Sequence, residues 1–226
     1  MKQLAFDFCV AAAPHFGNFV VGRNAELMER LSNLSCTRSE ERSLYLWGAC
    51  GSGRTHLLRA AVAASQIAGG GGTYVACTSD TEFHESLHTL DLVAVDDVHQ
   101  LGASAQIGLF NLYNALRARG AALIATGNAA PMHLHLRADV VTRLAWGLVY
   151  EVHGLSDQEK AAALAGHASV RGFALQDDVS NYLLTHARRD MPALVALLDA
   201  LDRYSLESQR PVTVPLLREM LAAEQK

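Results

Sequence analysis

Charge is sparse in this chain and nearly balanced: nineteen Lys and Arg stand against twenty-three Asp and Glu, a formal net charge of −4 with 19% charged residues. Coating nucleic acid by bulk electrostatics needs a basic surface, so that mode is excluded and any nucleic-acid role is local or indirect. Cysteine is equally scarce. Cys9, Cys36, Cys50 and Cys77 form no CxxC pair, which excludes a disulfide scaffold and fits reduced thiols in a cytosolic protein. No run reaches the roughly 18 unbroken apolar residues of a membrane span, and Asp7 interrupts what would be the apolar stretch of a secretory signal. The expectation is a cytoplasmic protein without membrane contact.

What is present is core-forming material. Half of the 226 residues are hydrophobic, enough to exclude a disordered chain, and at about 150 residues per domain there is room for one ordinary domain and a smaller one. Leu44 to Trp47 is a short apolar, aromatic-rich run that enters the glycine loop GACGSGRT, and helix formers follow from His56 to Ala68: strand, loop, helix. Gly69 to Gly72 predicts an exposed, flexible connector to a second strand, Thr73 to Cys77. Asp91 to Val95 predicts a third strand running into Asp96 and Asp97. An amphipathic helix follows from Ser104 to Arg119, its apolar positions Ile107, Leu109, Phe110, Leu112, Tyr113 and Leu116, with Gly120 as its stop.

Ala121 to Thr126 predicts a fourth strand, Val140 to Leu144 a helix, and Leu148 to Val152 a fifth strand. Strands alternating with helices imply a parallel sheet sandwiched by helices. The texture changes at Ser156, where Ser156-x-x-Glu159 is a capping box opening an Ala-rich helix. Helical segments follow at Asp177 to His186, Asp190 to Glu207 and Val214 to Ala223, with no competing strand signal. The expected domains are an N-terminal arm (1–17), an α/β domain (18–153) and a helical domain (154–226).

Gly48 to Thr55 fits G-x-x-x-x-G-K-[ST] except that Arg54 stands where lysine belongs. Glycines at Gly48, Gly51 and Gly53 let backbone N–H groups converge on phosphate oxygens, the helix after Gly53 offers its positive end, and Thr55 can hold Mg²⁺. Arginine keeps the charge but presents a wide planar fork, so binding can survive while turnover suffers. Asp96 and Asp97 follow four apolar residues, a pattern that puts one carboxylate on Mg²⁺ and a second near an attacking water. Asn128, after the fourth strand, is placed to orient that water. His84-Glu85-Ser86-Leu87-His88 matches H-E-x-x-H, a zinc-protease pattern, but the segment has room for only about two turns and no third ligand is evident. A solvated helix is the better reading.

In this order the motifs resemble those of the AAA+ ATPases, and more narrowly the DnaA-type clade. NFVVGRNAEL (18–27) is similar to that clade's adenine-side segment, LYLWGACGSGRTHLL to its P-loop, DLVAVDDVH to its Walker B strand, LIATGN to its sensor 1, and VVTRLAWG (140–147) to the box carrying its arginine finger. The resemblance implies an AAA+ core with an all-helical lid. It also implies an ADP or ATP site built from Val20, Val21, Gly48, Gly51, Ser52, Gly53, Arg54, Thr55, His56 and Asp96, with Mg²⁺ on Thr55 and Asp96. Asp97, Asn128 and Arg143 become the catalytic candidates.

Within the clade the chain most resembles the Hda family. It ends at Lys226 directly after the lid, where an initiator needs a helix-turn-helix reader, so no sequence-specific DNA binding is expected. RGFAL (171–175), LLDALDRYSLESQRPVTVP and Arg54 are also Hda-like. Gln3-Leu4-Ala5-Phe6-Asp7-Phe8 resembles the short peptide with which many proteins dock on the bacterial sliding clamp, glutamine fixing register while Leu4, Phe6 and Phe8 fill an apolar pocket. The plainer readings are a frayed N-terminus or a first strand, since alternate apolar residues also suit a sheet edge. Where the family carries a sensor 2 arginine this chain aligns Pro192, with Arg188 and Arg189 just upstream. The resemblance implies a nucleotide-binding regulator, able to form homo-oligomers, that docks on the clamp and stimulates ATP hydrolysis by a DnaA-type initiator. Its own turnover would be weak. The alternatives are a DnaC-like helicase loader, which would carry a longer segment before the P-loop at Gly48, and a stand-alone ATPase.

Overall fold

The computed structural model describes residues 13–34, 41–187 and 190–224. The clamp-like peptide and Arg188 and Arg189 lie outside them. Two compact units divide the chain after Gly154, and no helix among the described residues is long and apolar enough to cross a membrane.

The first unit is built on α1 (Ala25–Leu34), β1 (Ser43–Trp47), α2 (Arg54–Ile67), β2 (Gly72–Ala76), β3 (Leu92–Asp96), α3 (Ala103–Arg119), β4 (Ala122–Gly127), α4 (Ala138–Trp146) and β5 (Leu148–Glu151). Its five strands are all parallel in the order β2-β3-β4-β1-β5. Successive strand residues face opposite sides, so each apolar run supplies two cores. Tyr45, Val93, Val95, Leu123 and Ala125 pack with Leu109, Leu112 and Leu116 of α3 and Val140 and Leu144 of α4. Leu44, Leu46, Leu92, Ala94, Ala122 and Ile124 pack with Leu27 and Leu31 of α1 and Leu57, Leu58 and Ala61 of α2. Because both faces are covered, β3 and β4 are buried along their whole length.

The register brings the strand ends that carry polar chemistry together: Trp47 lies opposite Gly127 and Glu151, and Ala76 opposite Asp96. Carboxyl ends of parallel strands are where such sheets bind ligands.

Three local expectations need correction. Ile107, read as core, is 47% exposed; Ala105 and Gln106 take the buried positions of that turn, and the Gln106 amide stays there by donating to Leu101 O at 2.9 Å. The four-glycine connector is not an open loop. Only Gly69 is exposed; Gly70 and Gly71 are half-buried, Gly71 N–H donates to Asp91 Oδ2 at 2.8 Å, and Gly72 already belongs to β2. The H-E-x-x-H segment is a 3-10 turn, Glu85–Thr89, with His84 outside it at the N-cap. At three residues per turn, positions i and i+4 do not share a face, so the pairing a zinc helix needs is not formed.

The second unit packs α5 (Asp157–Val170), α6 (Asp177–His186), α7 (Met191–Ser208) and α8 (Val214–Glu224) around Leu164, Leu183, Leu194, Leu198, Leu216 and Leu217. Polar contacts tie α7 to the end of α5: a His167–Asp199 hydrogen bond at 2.7 Å, and ion pairs from Arg171 to Asp199 at 3.2 Å and to Asp202 at 2.8 Å. The capping box is formed, with Glu159 N–H donating to Ser156 Oγ at 3.2 Å and Ser156 N–H to Glu159 Oε2 at 2.7 Å. Ser156→Ala should therefore destabilise this unit by about 1 kcal/mol, read as a lower midpoint in urea unfolding with an unchanged slope.

Candidate functional site

The glycine loop leaves β1 and opens α2, and its backbone could be built by few other residues. Gly51 and Gly53 have φ of +78° and +102°, a region that side chains rarely adopt. A Cβ on Gly48 would lie 2.5 Å from Val152 O, and one on Gly53 would lie 2.7 Å from the Phe19 ring. Ser52 is buried, and its Oγ is shielded from water without a hydrogen-bond partner. An orphaned buried hydroxyl in a glycine cradle is a donor waiting for an oxygen.

Phe19 closes the loop from outside and also meets His56, ring centroids 5.6 Å apart. His56 Nε2 lies 3.2 Å from His15 O. Burial lowers the His56 pKa, against the raising effect of that backbone contact, so the imidazole stays neutral near pH 7. Val20 is half-buried and Val21 exposed just beyond Phe19. The segment is anchored by Asn24, whose side-chain amide donates to Val21 O and His153 O at 3.1 and 2.9 Å and accepts from His153 N–H at 2.8 Å.

The two acids at the end of β3 have different surroundings. Asp96 is 3% exposed and fully engaged: its Oδ2 accepts from Thr55 Oγ1 at 2.6 Å and from Tyr74 OH at 2.8 Å, while Thr126 Oγ1 donates to its Oδ1. Burial, then the hydrogen bond to Asp96, pushes the Tyr74 hydroxyl up to about 12, so Tyr74 remains a donor. Burial, then the charges of Asp96 and Asp97, likewise pushes the nearby Cys77 thiol up to about 12, leaving it unreactive. A hydroxyl and a carboxylate this close form a hard oxygen pair, the donor type that suits Mg²⁺.

Asp97 sits in the left-handed region at φ +56°, uncommon for a residue other than glycine and typical of functional sites. Its N–H donates to Thr126 Oγ1 at 2.8 Å, and its Oδ1 lies 3.4 Å from Arg54 Nη2. Arg54 does not extend along the glycine loop. Its side chain is only 12% exposed, and Nη1 donates to Gly127 O at the end of β4. Gly127 admits no side chain, since a Cβ there would overlap the Tyr45 hydroxyl, which donates to Ala129 O at 2.8 Å. Burial raises the Tyr45 pKa, with Arg54 opposing and Asp97 adding. Asn128 is exposed one residue past β4.

The structure thus brings Gly48, Gly51, Ser52, Gly53, Arg54, Thr55, Asp96 and Asp97 to one edge of the sheet, with Val20, Val21 and His56 on its Phe19 side and Asn128 at its rim. Sequence reasoning missed Tyr45, Tyr74 and Thr126. Each is a hydroxyl inside an otherwise apolar strand, and that was the available signal.

Arg143 lies elsewhere. It is in the last turn of α4, three residues before Trp146 ends the helix, and the next residue, Gly147, packs its backbone on Ser43 O at the start of β1; the glycine loop follows the other end of that strand. Its guanidinium stacks 4.0 Å from the Trp146 ring centroid, with Phe110 at 5.3 Å and Tyr113 at 5.9 Å. Arg117 also lies over Trp146, at 5.0 Å, and Trp146 is 52% exposed. The result is a half-buried arginine on an aromatic cluster whose outer edge, Trp146 with Arg117, is exposed.

Two family models match the chain: one described as "Hda, lid domain" over residues 157–221, and one as the bacterial DnaA ATPase domain over residues 73–151. Among solved structures, domain III of the Thermotoga maritima replication initiation protein DnaA superposes with a TM-score of 0.72 at 19% identity, over 92% of this chain and 95% of that one. AMPPCP-bound DnaA from Aquifex aeolicus gives 0.71 at 22% identity, over 86% of this chain and 66% of that one, so this chain spans about two thirds of its length. The Thermotoga maritima RuvB branch migration motor gives 0.63 at 13% identity, over 88% and 69%. These structural likenesses are likenesses of fold.

Proposed function

Because this chain is a DnaA-related, Hda-like AAA+ protein, we propose that it is a nucleotide-binding regulator of a DnaA-type initiator. It binds adenine nucleotide, ADP in its working form, docks on the sliding clamp and stimulates the initiator's ATP hydrolysis, so restraining initiation of DNA replication in the cytoplasm. The observation that carries this reading is the separation of two devices: a phosphate cradle at the carboxyl edge of the sheet, and Arg143, half-buried on an aromatic cluster edged by the exposed Trp146, away from it. A finger that cannot serve its own site is suited to a neighbour's.

The cradle's part follows from its chemistry. Backbone N–H groups of the loop, the Ser52 hydroxyl and the positive end of α2 face the phosphates, while Phe19, Val20, Val21 and His56 shield the nucleoside side. Thr55 and Asp96 would hold Mg²⁺, which when bound with nucleotide offsets phosphate charge. Asp97 and Asn128 stand where an attacking water would be held. Across an interface, the Arg143 fork donates to oxygens on which charge builds during phosphoryl transfer.

Nucleotide binding is the first test. Titration calorimetry with Mg-ADP should show one site in the wild type. Gly53→Ala forces a side chain into φ +102° against Phe19 and should weaken binding by roughly tenfold, since strain of this kind costs of order 1–3 kcal/mol. A wild type that binds neither ADP nor ATP would remove the nucleotide from the account. If the complete system of clamp, DNA and initiator shows no stimulated hydrolysis, the regulatory reading fails.

A further inference from the structure

The P-loop arginine reaches away from the phosphate cradle and onto the acid that a hydrolytic AAA+ site would use as its base. Arg54 is the first residue of α2, after β1, yet its fork meets the ends of the two neighbouring strands: Nη1 on Gly127 O after β4, Nη2 3.4 Å from Asp97 Oδ1 after β3. That span suits arginine and not lysine. A planar fork can donate to a carbonyl and face a carboxylate at once, whereas an ammonium on a shorter stem is a point charge. The contact is sheltered: Arg54 is 12% exposed, and Asp97 Oδ1 is shielded from water with no hydrogen bond of its own.

We infer that Arg54 is a clasp on Asp97 rather than a phosphate ligand, holding the second acid out of use so that the site binds ATP and ADP without converting one into the other. The inference rests on the nucleotide-site reading above and adds the cause of weak turnover. In hydrolysis the water oxygen bonds to the γ-phosphorus, the bond from that phosphorus to the β,γ-bridging oxygen breaks, and ADP departs with the electron pair. The water's proton must pass to a base such as the Asp97 carboxylate. With Asp97 Oδ1 turned to the Arg54 fork 3.4 Å away, that oxygen is not open to the water, and the nucleotide state then follows which nucleotide is bound.

The test has two arms. Without nucleotide, Arg54→Met, Asp97→Asn and the double variant form a thermodynamic cycle. The clasp predicts that the Tm falls of the single variants do not add, because either substitution removes the same pair; additive shifts overturn it. With nucleotide, Arg54→Lys frees Asp97 while keeping a cation in the loop. A positioned base contributes about 10² to 10⁴ in rate, so single-turnover hydrolysis of bound ATP should rise at least about tenfold over wild type, and Asp97→Asn added to Arg54→Lys should remove the gain. Arg54→Lys that binds ATP and turns over no faster than wild type overturns the clasp. Loss of ATP binding in Arg54→Lys alone makes Arg54 a phosphate ligand and overturns it too. No binding by wild type instead removes the nucleotide reading beneath it, whatever the cycle gives.

Discussion

Arg143→Ala is expected to lower the stimulated hydrolysis of initiator-bound ATP by a factor on the order of 10³ in a reconstitution with clamp, DNA and initiator. Fingers donated in trans are worth about 10³ to 10⁵ in small GTPases. The side chain is available for the role. It forms no salt bridge among the described residues and rests half-buried on Trp146, Phe110 and Tyr113, cation–π contacts worth about 0.5–2 kcal/mol. Exchanging those contacts for a transferring phosphoryl group costs little against what the charge gains there.

The same placement makes the variant clean. Arg143 touches no residue of the glycine loop, so Mg-ADP affinity and the thermal midpoint should stay near wild type. Arg143→Lys keeps the charge but loses the fork and should fall between the two. Hydrolysis assayed with labelled ATP on the initiator decides it: stimulation by Arg143→Ala at the wild-type rate would end the finger assignment.

The sheet was legible because its signals are local. LYLW, DLVAV and AALIAT are apolar runs bounded by glycine or acid, and each observed strand lies within one residue or so of its expected place. The lid was legible from its caps, Ser156 with Glu159 and Asp190 before Met191, as the end of α3 was from Gly120 in the left-handed region. Errors arose where tertiary packing overrode a local rule. Ile107 is apolar, yet that turn of α3 buries Ala105 and Gln106, because close helix packing there favours a small residue and an amide with a carbonyl partner. Four glycines read as slack chain, yet Gly70 and Gly71 lie close to Ser65, Leu90 and Asp91, where a side chain would crowd its neighbours.

At the site, the backbone cradle could be read from spacing, since glycine positions dictate where φ becomes positive. The side-chain network could not. Thr55, Tyr74 and Thr126 converge on Asp96 from three different elements, and the turn of Arg54 onto Asp97 depends on β3, β4 and β1 lying side by side in an order that differs from the chain order. Spacing along a chain carries that information only after the sheet order is known.

The second large effect concerns Gln3, Leu4, Phe6 and Phe8 at the N-terminus, and it should appear in clamp binding alone. Anchors that fill an apolar pocket can each cost about 2 kcal/mol or more when truncated. Leu4→Ala alone should thus weaken clamp binding about thirtyfold, and Gln3→Ala with Leu4→Ala about 10³-fold where the two losses add. The cradle is carried by the compact unit Pro14–Gly154, which begins after both substituted positions in the chain, so Mg-ADP binding should not change. Surface plasmon resonance with immobilised clamp measures the affinities directly. Tenfold more salt should matter little, because the anchors are apolar apart from one amide and screening acts on charges. A double variant that binds the clamp as tightly as wild type would return the segment to its other readings, a frayed end or a first strand, and would leave the regulator to find its initiator by another surface.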